Sequence, residues 1–83
     1  MKRDALLALL EELARRHEIE IRRGKFEGKS GLGKYKGKWI LLMDRSLEPR
    51  ERVELLTDAL VEAGVPGDEL PVEVRTLLNR GHA

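Results

Sequence analysis

The chain has no cysteine and no glutamine, and among its 83 residues it has one asparagine, two histidines and three aromatics. Without cysteine there is no disulfide framework and no thiolate metal site, which excludes a stapled secreted scaffold and a zinc ribbon. The two histidines, His17 and His82, have no serine, cysteine or carboxylate at the spacing of a catalytic triad or a metal site. No metal, no cofactor and no enzymatic activity are therefore expected. Long hydrophobic runs are missing too. The leucine-rich start, MKRDALLALLEELARR, is interrupted by Asp4, Glu11 and Glu12, is too short to cross a bilayer and precedes no small-residue cleavage site. The expectation is a cytoplasmic chain with no membrane partner. Few amide side chains beside 37% charged residues give a thermophile-like composition. So short a chain makes a single domain, residues 1–83, which buries only roughly 60% of the surface its unfolded form exposes. Assembly into a homo-oligomer is a common supplement at this size.

What the chain does have is unevenly placed. Residues 22–40, RRGKFEGKSGLGKYKGKWI, hold seven cations (Arg22, Arg23, Lys25, Lys29, Lys34, Lys36 and Lys38) against one acid, Glu27. That stretch is formally +6 within a chain of +1, so the remainder carries −5. Phe26, Tyr35 and Trp39, all the aromatics, lie inside it, with five of the six lysines.

Along the chain, Leu6, Leu9, Leu10, Leu13 and Ala14, widened by Leu7, fall on one stripe of an amphipathic helix over 3–16. Glu11 with Arg15 and Glu12 with Arg16 support its outer face. Ile19 and Ile21 alternate with charges in a strand over 18–22. Five glycines between positions 24 and 37 then make residues 24–31 a loop. Strands over 32–36 and 38–44 meet at Lys36-Gly37, where glycine suits the mirrored turn of a short hairpin. WILLM, residues 39–43, is apolar throughout and reads as the central strand, covered on both faces.

A second helix starts at Glu48-Pro49, buries Val53, Leu56, Leu60 and Ala63, widened by Leu55 and Ala59, and stops at Gly64. After the turn-rich VPGDELP, residues 71–80 make a short third helix with Val74, Leu77 and Leu78 inward. No helix separates the strands, so the expected sheet is a three-stranded antiparallel meander. Packed against two helices, it gives a two-layer α+β domain of order αβββαα.

Two strings imitate nucleotide sites and fail. GKFEGKS, residues 24–30, is one residue short of a P-loop and leads into no helix. Gly31-Leu32-Gly33 followed by Gly37 displaces the third glycine of a dinucleotide fingerprint. Glu54, Asp58 and Glu62 form an acidic ridge on the second helix, either a solvated face or a dock for the basic patch of a second copy.

The basic stretch carries the functional reading. Arg22, Arg23, Lys25, Lys29, Lys34, Lys36 and Lys38, interleaved with Phe26 and Tyr35, make an electrostatic footprint for a polyanion such as nucleic acid. Tyr35 or Phe26 could stack on unpaired bases. An acidic protein surface is the alternative partner, and a lysine-rich edge that only deters strand-to-strand aggregation is the plainest account. Tyr35 and Trp39 also flank the turn, where they would pair across strands as ordinary sheet residues.

The layout LLALLEELARRHEIEIR, GLGKYKGKWILLMD and SLEPRERVELLTDALVEAG resembles a group of small uncharacterised bacterial proteins. More distantly, it is similar to the core of minimal zincin-type metallopeptidases associated with phage repressor control. In those enzymes the helix after the hairpin bears His-Glu-x-x-His. Here that helix has Thr57, Asp58 and Val61 at the motif positions. The resemblance implies a shared architecture over about residues 5 to 64 and no zinc site.

Overall fold

The computed structural model describes residues 3–27 and 29–75. Helix α1 spans Arg3–Arg16 and strand β1 Ile19–Gly24. Strands β2, Gly31–Tyr35, and β3, Lys38–Asp44, form the hairpin, and helix α2 spans Pro49–Glu62. A 3₁₀ turn at Gly67–Glu69 follows, and 72–75 are helical. The rest of the expected third helix, with Leu77 and Leu78, lies outside the described residues.

The sheet is mixed, with order β1-β3-β2, which corrects the antiparallel meander. β3 pairs antiparallel with β2 and parallel with β1. Strand directions alternate as in a meander, but β3 takes the place between β1 and β2. The physical reason lies in the loop between Gly24 and Gly31, which carries the chain past the end of β3 and so replaces the helical crossover that parallel pairing usually needs. Asp44, the last residue of β3, fastens this loop. Its buried carboxylate accepts a hydrogen bond from the Phe26 amide at 2.8 Å, and its own amide donates to the Ser30 hydroxyl at 3.0 Å.

The helices end in different ways. Gly64, at φ +88°, closes α2 while the Val65 amide reaches back to the Leu60 carbonyl, as in a Schellman turn. Glu18, at φ +60°, does the same service for α1 without a glycine, so the first strand begins one residue later than expected. At the start of α2, Pro49 occupies the first turn and the Glu48 amide donates to the Glu51 carboxylate at 3.0 Å.

Both helices pack on one face of the sheet. Leu6, Leu7, Leu10, Leu13 and Ala14 of α1 meet Val53, Leu56, Ala59 and Leu60 of α2 over Ile19, Leu41 and Met43. Val65, Leu70 and Val74 close the same core. Leu9, expected on the buried stripe, is 42% exposed at its margin. Side chains alternate across a strand, so Ile40 and Leu42 of β3 point to the other face. They are only half-buried, and among the described residues no helix covers that face, so the central strand is covered on one side.

Candidate functional site

The uncovered face owes its shape to the register. Gly31 pairs with Leu42 and Gly33 with Ile40, so the β2 neighbours of both apolar side chains have no side chain of their own. A Cβ built on either glycine meets no atom within 4 Å. On the other flank, Arg22 pairs with Leu42 and Glu20 with Ile40, and the Arg22 guanidinium is bound to the Glu20 carboxylate. The result is an open groove of about 550 Å³ with an apolar floor, bordered by Arg22, Lys29, Ser30 and Tyr35. Tyr35 is 62% exposed and pairs across the strand with Lys38.

The seven cations separate into two kinds. Both arginines are engaged, Arg22 with Glu20 and Arg23 with Glu11 of α1. Among the described residues, Lys25, Lys29, Lys34, Lys36 and Lys38 form no ion pair, and all five are exposed. Lys34 lies over the Trp39 ring at 4.9 Å on the helix side of the sheet, and Lys36 over the Tyr35 ring at 5.5 Å. These contacts hold two ammonium groups beside the hairpin without neutralising them. Lys25 and Lys29 sit in the loop at the opposite end of the sheet.

Phe26 and Tyr35 differ in the same way. The Phe26 ring is half-buried over Gly24, approaching to 3.2 Å of where a Cβ would stand, so it packs the loop onto the end of β1. Trp39 is half-buried against the core. Tyr35 alone of the aromatics presents an exposed ring. Expectation from sequence gathered all these residues by proximity along the chain and missed the groove. The legible signal was Gly31 and Gly33, two apart in a strand and therefore bare on one face.

Elsewhere the chemistry is sparse. His17 Nε2 lies 2.9 Å from Glu69 Oε1, a tie between the end of α1 and the 3₁₀ turn. Where the zincin motif would stand, Thr57 is buried with its hydroxyl donating to the Val53 carbonyl at 2.7 Å, while Asp58 and Val61 are exposed. No group of three or more metal-ligating side chains forms among the described residues. Likewise, no described helix is long and apolar enough to cross a membrane. Glu54, Asp58 and Glu62 are exposed on α2, with Arg50 3.7 Å from Glu54. Comparison with family profiles, curated proteins and solved structures finds no match to this chain.

Proposed function

We propose that the chain is a non-enzymatic binding module that grips a polyanion, nucleic acid being the favoured class, with its basic hairpin and adjoining loop. One observation carries this reading: five exposed lysines, unpaired among the described residues, surround β2 and its two connections. Exposed ammonium groups are free to displace the counterions condensed on phosphates, and that release drives sequence-independent binding. The two arginines contribute less, because their charge is already spent on Glu20 and Glu11.

The test is a salt titration. If all five lysines contact phosphates of a single strand, log affinity falls against log salt with a slope of about −3.5, from about −0.7 per contact. Replacing Lys34, Lys36 and Lys38 together by glutamate should shrink that slope by about 2. Failure to bind any nucleic acid at low salt would dispose of the reading.

A second reading, a protein adaptor or homodimerising module, draws on the exposed Glu54, Asp58 and Glu62. They offer the basic hairpin of another copy an acidic counterpart.

A further inference from the structure

We infer that the glycine-floored groove receives an unpaired nucleobase, so the polyanion this chain prefers is single-stranded. This rests on the polyanion reading above and names its substrate class. The floor, Ile40 and Leu42, is apolar and bare on the β2 side because Gly31 and Gly33 carry no side chains. A flat ring can lie there against backbone and aliphatic surface, in a space of about 550 Å³. At the turn end of the same face stands the Tyr35 ring, 62% exposed, on which a second base can stack. Lys29 borders the groove and Lys38 shares its face, while Arg22 on the β1 flank is paired with Glu20, so two exposed lysines stand beside an apolar centre. That is the charge pattern of a strand whose bases are splayed inward and whose phosphates run along the rim.

Other occupants fit less well. A duplex keeps its bases stacked inside, so phosphate contacts with it would leave the apolar floor empty, and base readout requires an element that enters a groove. Here the hairpin is embedded in the sheet, since β1 pairs with β3 from Trp39 to Asp44 and leaves little but the Lys36-Gly37 turn projecting. A second copy laid face to face would bury only the small apolar patch of Ile40 and Leu42. An acidic peptide satisfies the rim but supplies no flat ring for the floor.

The experiment measures fluorescence anisotropy of labelled oligothymidylate with the full chain at low salt, using about 12 nucleotides, within the site size of one small domain. A duplex of equal length and polyglutamate are the comparison probes. The single strand should bind at least about tenfold tighter than the duplex, and Tyr35→Ala should weaken it by about tenfold. Gly33→Val should weaken it comparably while the urea midpoint holds or rises, because the new side chain enters open space and valine suits a strand. Equal affinity for single strand and duplex, unchanged by Gly33→Val, overturns the nucleobase groove and leaves the polyanion reading standing. Binding of polyglutamate without oligothymidylate overturns it in favour of an acidic protein partner. Silence from all three probes removes the inference and the reading beneath it together.

Discussion

Asp44 shows how one buried side chain decides a connection. One carboxylate oxygen accepts the Phe26 amide and the other accepts both the amide and the hydroxyl of Ser46, each at 2.8 Å. Charge-assisted hydrogen bonds of this kind are stronger than neutral ones, and a buried donor left unmatched costs more than the bond was worth. Asp44→Ala should therefore destabilise the fold by about 2–3 kcal/mol in urea unfolding, with the loop between β1 and β2 gaining hydrogen exchange first. A loss of under about 1 kcal/mol would mean that water replaces the carboxylate and that the loop is held by Phe26 over Gly24 instead. Sequence alone showed Asp44 only as the polar end of an apolar run. Nothing in the string IL-LM-D says that the carboxylate turns inward.

Among the elements, the hairpin was legible and its neighbour was not. The Lys36-Gly37 turn has positive φ at both positions, +50° and +79°, the mirrored form whose twist matches the strands. Helices α1 and α2 were equally readable, since period and caps are local features, though Leu9 shows the stripe misplaced at its edge. WILLM announced a central strand, and β3 does stand between the other two. What stayed hidden was which partner lies beside β1. A meander and the observed order have the same alternating strand directions, so patterning cannot separate them, and the choice rests on tertiary contacts of a short loop. The candidate site was legible as charge but not as shape, because the groove exists only once Gly31 and Gly33 are set against Leu42 and Ile40. Gly33 and Gly37 also allow a clean comparison. Neither has an atom within 4 Å of a built Cβ, yet only Gly37 has a left-handed backbone. Gly37→Ala should cost about 1 kcal/mol of stability, whereas Gly33→Ala should cost nothing or stabilise slightly. Chemical denaturation of the two variants checks this, and equal effects would show that the turn relaxes to accept a side chain.

At the scale of the whole molecule the two layers carry opposite charge, with exposed lysines around the sheet and Glu54, Asp58 and Glu62 on the outer side of α2. Head-to-tail contact between copies is the arrangement this invites, and such heterologous contacts close into rings only at special angles. Its energy is small. Exposed ion pairs contribute about 0–1 kcal/mol each, against roughly 4–15 kcal/mol for the lost freedom of association. Packing the two open faces together does no better, since Ile40 and Leu42 give only a small apolar centre. The chain should therefore sediment as a 9.5 kDa monomer at about 0.15 M salt, where the Debye length is about 8 Å. Lowering the salt in the absence of a polyanion should leave that mass unchanged at micromolar concentration. A dimer that appears at low salt and is abolished by Glu54→Lys with Glu62→Lys would transfer the lysines from nucleic acid to the chain's own acidic ridge. Single-strand binding by the same preparation, competing with that dimer, would then show one basic surface serving both partners in turn.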